Sequence, residues 1–383
     1  MATAGLLVPS ALSACATGGS NNALDDWRRD FEAGVPSRMK TSGVAGLAVA
    51  IVPRDSANRY TAAFGLADVK SGRPMTTDTP VHLASISKLF TAAALVQLFD
   101  ERGHDLDGNV NDFIDFAVQN PRHPRDPITP RQLLTHTSSI SDDGYENQYE
   151  TAGAGDPTEG LSSFLREVLS EGGATYSPTD TYLRAKPGSK WSYSNVAVAL
   201  AGYVVERVSG QPFASYVGER VLGPLGIRNA HWYLGEFAPN VLATPYGYDE
   251  GEFVELPQEG YRDVPAGMLR CSVADLATSL RAMQGGGERA ILSPRAVSAM
   301  LSRQVDPSIV HYQGLGWTEE TIEGAALVGH SGVDVGATNM VVLTEDRRHA
   351  VVVLMNTDAT PEVDAFRSSI TADLIKGARR GRT

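Results

Sequence analysis

The sequence of 383 residues contains few cysteines, few lysines and no long apolar run. Its two cysteines, Cys15 and Cys271, lie in unrelated contexts, which argues against a disulfide framework, and neither belongs to a Cys-x-x-Cys metal or redox pair. No apolar stretch reaches the roughly 20 residues of a membrane-spanning helix, which excludes a multi-span membrane protein. Acidic residues outnumber basic ones by 45 to 33, and a net charge of −12 has the wrong sign for nucleic-acid binding.

Several common catalytic motifs are also absent. The chain has no Gly-x-Ser-x-Gly, the turn that carries the nucleophile in α/β-hydrolases. It has no His-Glu-x-x-His zinc motif and no phosphate-binding glycine loop with a lysine, so we expect neither a metal nor a cofactor. The chain has only six lysines, so a lysine inside a motif deserves a closer look.

The order of the predicted elements indicates the fold class. With 42% hydrophobic and 20% charged residues, the chain is typical of one large globular domain or two intimately joined ones. Strands are predicted at 46–52, 60–67, 314–317, 325–329, 338–344 and 350–355, and helices at 24–39, 85–102, 196–208, 272–283 and 361–376. We expect Gly34 and Pro36 to kink or end the first helix.

Strands near both chain ends enclose a long, mostly helical middle. This order predicts an α/β fold of the α+β sandwich type, in which terminal helices flank an antiparallel sheet and a large helical region is inserted. We therefore assign 24–383 to one unit, with a sheet part at about 24–84 and 305–383 and a helical part at about 85–304. The acidic stretch 142–180 is expected to be rich in loops.

The first 23 residues are typical of a targeting segment. A short apolar run ends at Cys15 and precedes a polar spacer at 16–22, as in the apolar core of a signal peptide. Leu-Ser-Ala-Cys at 12–15 is similar to a bacterial lipobox, whose cysteine is lipidated after cleavage. We therefore expect export to the cell envelope and a membrane tether at Cys15. No Lys or Arg precedes the run, so a cytoplasmic protein is the alternative.

The first candidate for chemistry is the Ser-x-x-Lys pair Ser85 and Lys88 at the predicted start of a helix. One helical turn brings the lysine over the serine, and a serine hydroxyl becomes nucleophilic when a neighbouring base takes its proton. The helix N-terminus offers a backbone N–H to a developing oxyanion. Ser37 and Lys40 have the same spacing on a surface-like helix. Taken alone, the motif at Ser85 fits an ordinary N-cap serine beside a solvated lysine equally well.

The second candidate is Tyr193-Ser194-Asn195, just before the predicted helix at 196–208. A tyrosine near a lysine can relay protons, and an asparagine amide can hold a substrate carbonyl. The same spacing recurs at Tyr145 within the acidic loop, where no packed helix follows. A boundary tyrosine with its ring buried and its hydroxyl in water is the alternative interpretation of Tyr193.

The third candidate is His330-Ser331-Gly332, where one predicted strand ends and leads into the next. Glycine lets a ligand approach a strand edge closely, and the next backbone N–H, at Val333, is a candidate oxyanion donor. His136, in Thr-His-Thr-Ser, is interpreted as a structural hydrogen-bonding residue instead.

In this order, the three motifs resemble the serine β-lactamase and penicillin-binding-protein superfamily, in particular its class C-like, esterase and D,D-peptidase branch. The segments 128–138 and 265–276 are similar as well, and the resemblance covers roughly 25–376. It implies a β-lactamase/transpeptidase-like fold and a small-molecule or peptide substrate. The site residues that it implies are Ser85 as nucleophile, Lys88 and Tyr193 as proton-transfer pair, and Asn195, His330, Ser331, Gly332 and Val333 for substrate and oxyanion binding.

Two departures from the family pattern bear on the activity. Class C β-lactamases usually have Lys-Thr-Gly where this chain has His330-Ser331-Gly332, and a neutral histidine is a poorer partner for a β-lactam carboxylate. Ser139 stands where relatives often have glycine, so the family's local structure is not carried over to the following residues, 140–145. The resemblance implies a serine hydrolase that forms an acyl-enzyme from esters or amides, as an esterase, a D,D-carboxypeptidase-like enzyme or a weak β-lactamase. A transacylase of the same fold and a non-catalytic penicillin or peptidoglycan sensor are the alternatives.

Overall fold

A computed structural model describes residues 19–145 and 155–381 of the chain. Within these ranges the strands are β1 Gly46–Pro53, β2 Tyr60–Asp68, β3 Arg73–Pro74, β4 Val81–His82, β5 Tyr246–Asp249, β6 Glu252–Glu255, β7 Arg270–Cys271, β8 Thr318–Ile322, β9 Ala325–Asp334, β10 Ala337–Leu343 and β11 His349–Met355. Seven of them form one antiparallel sheet in the order β3-β2-β1-β11-β10-β9-β8. The two ends of the chain meet where β1 pairs with β11, with Leu47 opposite Met355.

Helices cover both faces of this sheet. Those of the described residues are α1 Gly19–Ser42, α2 Lys88–Arg102, α3 Pro130–Leu134, α4 Leu161–Leu169, α5 Asn195–Ser209, α6 Phe213–Val217, α7 Val264–Gly267, α8 Val273–Met283, α9 Pro294–Leu301 and α10 Pro361–Arg380. Short 3₁₀ turns lie at Ala84–Ser87, Val110–Asp112, Gly223–Leu225 and Leu234–Glu236, and a π-helical turn at Gly218–Leu222.

The apolar strands are buried on both sides because successive side chains of a strand point to opposite faces. In β1 the odd-numbered residues from Leu47 to Ile51 belong to the core under α1 and α10. The even-numbered residues from Ala48 to Val52 belong to the larger core shared with the helices between β4 and β8. The predicted fold class, an antiparallel sheet between terminal helices and an inserted helical region, is confirmed.

Helix α2 runs through the middle of the larger core. Every residue from Lys88 to Phe99 is buried, so the helix is enclosed on all sides rather than amphipathic. Gly103 ends it in the left-handed conformation, with a φ of 69°, directly after the predicted end of the helix at 102. Because this helix cannot shift without disturbing the whole core, it holds its first residue, Lys88, in a fixed place.

Three predictions of secondary structure are wrong. His330-Ser331-Gly332 lies inside a strand instead of after its end, because β9 continues to Asp334. Helix α1 does not end at Gly34 or Pro36 but continues to Ser42, because Val35 and Met39 on either side of the proline are buried against the sheet. The segment Gly314–Trp317 is a buried turn instead of a strand. Its backbone bonds to other segments, such as Leu315 N–H to the Met300 carbonyl, and the strand follows as the polar edge strand β8.

The targeting prediction concerns residues that the structure leaves out of description. Cys15 lies outside 19–145 and 155–381, so its lipidation and the export of the protein stay predictions. Across the described ranges, no helix is long and apolar enough to cross a membrane. Cys271 is fully buried, and burial raises the pKa of its thiol well above the usual value, as an inert core cysteine requires.

Candidate active site

Ser85 lies in a sharp turn between β4 and α2. The residue before it, Ala84, has a φ of 49°, a left-handed conformation that costs an alanine about 1 kcal/mol or more. Both ends of the turn bond to the backbone of Leu269. Leu83 N–H donates to the Leu269 carbonyl, and the Ser87 hydroxyl accepts from Leu269 N–H. Ser85 is therefore presented at the surface of a rigid turn whose flanking residues are buried.

Lys88 is the first residue of α2, and its ammonium group points back at Ser85. Nζ donates to Ser85 Oγ at 3.0 Å and to the Ala266 carbonyl oxygen at 2.6 Å. The side chain is only 1% exposed, so these two acceptors replace water around it. The carbonyl of Ala266 comes from the short helix α7, within the segment 265–276 that the sequence singled out.

Tyr193 completes a cluster around the serine hydroxyl. Its hydroxyl bonds to Ser85 Oγ at 2.8 Å, and Lys88 Nζ lies 4.9 Å from the centre of its ring. Tyr193 lies 108 residues further along the chain than Ser85, yet its hydroxyl and Lys88 contact the same serine oxygen. A serine oxygen in contact with both a lysine and a tyrosine has two routes by which its proton can leave.

A buried carboxylate, which the sequence analysis missed, fixes the segment that carries Tyr193. Asp142 is 5% exposed and accepts hydrogen bonds from the Ser194 hydroxyl and from the backbone N–H groups of Asn195 and Val196. Burial raises the pKa of Asp142, while the bonds oppose that shift. These contacts cap the first turn of α5 with negative charge, where the helix dipole favours it. Asn195 is the first residue of α5, and the role of its amide stays a prediction.

His136 supports Tyr193 from beside the ring. The imidazole stacks on the Tyr193 ring with centroids 4.4 Å apart, and its Nδ1 accepts a hydrogen bond from Ser194 N–H at 3.2 Å. Burial lowers the pKa of His136 well below its usual value, with a further contribution from the Lys88 charge, so the ring is neutral. The predicted structural hydrogen bond is present, and the stacking on Tyr193 is an addition.

Strand β9 runs directly past the serine turn. A Cβ at Gly332 would lie 2.2 Å from the Leu83 carbonyl oxygen, so only glycine permits this approach. The His330 ring centre is 6.3 Å from that of Tyr193, and Val333 is 47% exposed. The structure therefore brings the His-x-Gly segment beside the cluster of Ser85 and Tyr193.

Most polar groups at the start of this segment have hydrogen-bond partners within the protein. His330 Nδ1 lies 2.6 Å from the Ser331 carbonyl oxygen, which can only accept, so Nδ1 carries the proton. Nε2, the remaining acceptor, has no hydrogen-bond partner among the described residues. Burial lowers the pKa of His330 to about 4, so the ring is neutral near pH 7. The Ser331 N–H donates to Glu320 Oε1 at 2.6 Å, a contact that no motif indicated.

The look-alike motifs lie in other surroundings. Ser37 and Lys40 are exposed on α1, and the Ser37 hydroxyl donates to the Gly34 carbonyl. Tyr145 is buried and lies 3.4 Å from Asp263 through its hydroxyl. Within 19–145 and 155–381, no group of three or more histidine, cysteine or acidic residues is placed to bind a metal ion.

Several known proteins are similar to this chain. Residues 31–374 match the family model described as Beta-lactamase. The chain is 35% identical over 217 residues to Esterase EstB of Burkholderia gladioli, covering 55% of this chain and 52% of the esterase. It is 26% identical over 350 residues to a D-aminopeptidase of Cereibacter sphaeroides, covering 88% and 61%. The chain thus spans about half to two thirds of the length of these curated relatives.

A solved structure shares the fold. The octameric penicillin-binding protein homologue from Pyrococcus abyssi superposes with a TM-score of 0.74 at 26% identity, over 91% of this chain and 77% of that one. The superposition covers both the sheet and the inserted helical region, because so little of this chain lies outside it.

Proposed function

The chain belongs to the beta-lactamase family, and on that premise we propose that it is a serine hydrolase that cleaves ester or amide bonds through an acyl-enzyme on Ser85. The observation that carries the proposal is the pair of contacts at Ser85 Oγ, 3.0 Å from Lys88 Nζ and 2.8 Å from the Tyr193 hydroxyl. The relatives named an esterase and a D-aminopeptidase support the choice of ester and amide bonds.

In the acylation step, Ser85 Oγ attacks the substrate carbonyl carbon and its proton passes to the deprotonated member of the pair, either the neutral amine of Lys88 or the phenolate of Tyr193. The same pair returns a proton to the leaving alcohol or amine as the bond to the carbonyl carbon breaks. A water molecule then attacks the acyl-enzyme, gives up its proton by the same route, and releases the acid and free Ser85. At the end of the cycle, Ser85, Lys88 and Tyr193 have regained their initial protonation states.

Negative charge develops on the carbonyl oxygen in both steps. The backbone N–H of Ser85, at the turn before α2, is one candidate donor, and the N–H of Val333 on β9 is the other. Preorganised N–H donors of this kind contribute about 3–4 kcal/mol each to transition-state stabilisation in serine hydrolases. The rigid turn and the glycine approach at Gly332 support such an arrangement, because they fix β9 against the serine turn.

The proposal is tested with a fluorophosphonate probe and with p-nitrophenyl butyrate, D-alanine p-nitroanilide and nitrocefin as substrates. We expect a covalent adduct on Ser85, seen by peptide mass spectrometry, and loss of both labelling and hydrolysis in Ser85→Ala. Lys88→Met should lower kcat/KM by several powers of ten, each worth about 1.4 kcal/mol of barrier.

The matched control is Ser37→Ala, since Ser37 and Lys40 have the same spacing on the exposed face of α1. This variant should label and turn over like the wild type. Undiminished hydrolysis in Ser85→Ala would refute the proposal. A stable adduct without turnover would favour the sensor, and formation of an amide when an amine is added would favour the transacylase.

A further inference from the structure

A cavity of about 310 Å³ lies at the far end of the central strands from the serine turn. Val52 of β1 forms part of its wall, together with residues of α8 and of the loop that follows α8. Val52 pairs with Ala350 of β11, whereas Met355, at the other end of β11, bonds to Asn339, the residue opposite Gly332. Five residues of an antiparallel strand span about 17 Å, so the cavity is separate from the catalytic cluster.

Three arginines line this cavity. Arg59 directly precedes β2, Arg281 belongs to α8, and Arg289 lies in the loop after α8. Among the described residues, Glu288 is the one acidic residue of the lining. The chain as a whole has a net charge of −12, so the lining is positive on a protein that is negative overall.

Neutral oxygen atoms hold the three guanidinium groups in place. Arg59 Nη1 donates to the Thr278 hydroxyl at 2.7 Å. Arg289 Nη1 donates to the Pro224 carbonyl oxygen at 2.7 Å, and Arg281 Nε donates to a carbonyl oxygen of the turn between β1 and β2 at 3.3 Å. A neutral acceptor orients a guanidinium group without cancelling its charge, and each group keeps further N–H donors.

Carboxylates do not neutralise these arginines. Within 19–145 and 155–381, none of the three forms an ion pair, whereas Arg220 in the same helical region pairs with Glu101 at 2.7 Å. Burial raises the pKa of Asp275 on α8, and the charge of Arg59 opposes that shift from beyond ion-pair distance. The positive charge of the lining therefore exceeds the negative charge near it.

A phosphate group matches this lining better than a carboxylate does. A carboxylate has two oxygens in one plane, and a single guanidinium group can engage both of them. A phosphate group has three or more oxygens directed around a tetrahedron, so arginines on separate walls can each reach one. Small-molecule sites in proteins begin at about 300 Å³, so the cavity can hold a phosphate group with a small group attached to it.

We propose that Arg59, Arg281 and Arg289 form a binding site for a small phosphate-bearing ligand, such as a diphosphate or a phosphate monoester. The site is distinct from the one at Ser85, and it does not depend on the proposed hydrolase function. It gives the chain a second ligand besides the ester or amide that reacts at Ser85.

Calorimetry with pyrophosphate tests the site, with citrate as the comparison because it carries a similar negative charge on carboxylates. We expect one pyrophosphate per chain, bound at least about ten times more tightly than citrate. Arg59→Gln and Arg289→Gln change exposed side chains, so both variants should fold. Each should weaken pyrophosphate binding about tenfold or more, because each removes charge-assisted hydrogen bonds.

The control is Arg303→Gln, which removes the same charge from an exposed arginine outside the cavity lining. It should leave the affinity within about twofold of the wild type, because a distant surface charge is screened by salt. The site is overturned if pyrophosphate does not bind at about 10 mM or if citrate binds equally tightly. It is also overturned if Arg303→Gln weakens binding as much as the cavity variants do, because the attraction would then be general.

A competition experiment distinguishes the cavity from the site at Ser85. Saturating pyrophosphate should leave the rate of fluorophosphonate labelling of Ser85 unchanged. Labelling that pyrophosphate slows equally in the wild type and in Arg59→Gln would place the anion beside Lys88 and overturn the proposal. The calorimetry does not need a reactive serine, so a failure of the hydrolase proposal would leave this test intact.

Discussion

Gly332→Ala tests whether the approach of β9 to the serine turn is required for activity. The added Cβ would lie 2.2 Å from the Leu83 carbonyl oxygen and 3.2 Å from Ile86 Cγ1. Real Cβ atoms do not come closer than about 3.0 Å to such atoms, so strand and turn must separate by at least about 0.8 Å. The φ of Gly332 is one that alanine adopts, so the effect is steric.

The strand has little freedom to move away. Gly332 pairs with Asn339 of β10, whose side chain donates to the His82 carbonyl and accepts from Met355 N–H. The turn that carries Ser85 must therefore shift to make room for the added Cβ. Overpacking of this kind costs about 1–3 kcal/mol of stability. A misplacement of reacting groups by about 1 Å lowers activity about 100-fold.

The assay measures the melting temperature and kcat/KM for a neutral ester on the same preparations, with two alanine controls. Gly286→Ala creates a clash of the same kind, 2.1 Å from the Arg54 carbonyl oxygen, in the loop after α8. It should lower stability and leave kcat/KM near the wild-type value. Gly267→Ala, beside Ala266, meets no atom within 4 Å and should change neither quantity.

The reasoning is refuted if Gly332→Ala keeps its activity within about threefold of the wild type. It is also refuted if Gly332→Ala and Gly286→Ala lose activity equally, because the loss would then follow from stability alone. The pattern expected from the geometry is a loss of stability in both and a large loss of activity only at Gly332.

Two further predictions concern the histidines of the site. His136→Phe keeps a ring against Tyr193 but leaves the Ser194 N–H without its acceptor. The free energy of unfolding, measured in urea, should therefore fall by about 1–3 kcal/mol. An unchanged midpoint of urea unfolding would contradict this. Burial lowers the pKa of His330 from 6.5 to about 4, so the unfolded chain binds a proton that the folded one resists. Stability should therefore fall as the pH drops from 6.5 towards 4, by up to about 3 kcal/mol from this group, and His330→Gln should flatten that slope. Parallel stability curves for His330→Gln and the wild type would show that another group is responsible.

The sequence was sufficient for the parts of the fold that local patterns determine. The apolar run at 46–52 predicted β1, and the helix predicted at 361–376 is α10, which buries Val363, Phe366, Ile370 and Leu374 at helical spacing. Lys88 could be placed one turn after Ser85 for the same reason. Where long-range packing overrides a local signal, as at Pro36 and at Gly314–Trp317, the prediction was wrong.

The supporting residues of the site could not be found in this way. Asp142 holds the start of α5 across 52 residues of chain, and nothing in its own neighbourhood distinguishes it from Asp143 beside it. Glu320 contacts Ser331 from a polar edge strand that had not been predicted. Neither contact follows from spacing, because both depend on how distant segments meet in the folded chain.

The alignment of the catalytic groups and the choice of substrate therefore depend on different kinds of residue. Ser85, Lys88 and Tyr193 are found by motif, and buried contacts hold them in place: the backbone of Leu83 against that of Leu269, and the side chains of Asp142 and His136 against the Tyr193 segment. The side chain of Val333, beside the serine turn, is 47% exposed, and a substitution there can change the surface that a substrate meets without disturbing this alignment. Substrate preference can thus diverge among chains that share all three motifs, which is why the motifs predict acyl-enzyme chemistry better than they predict the substrate.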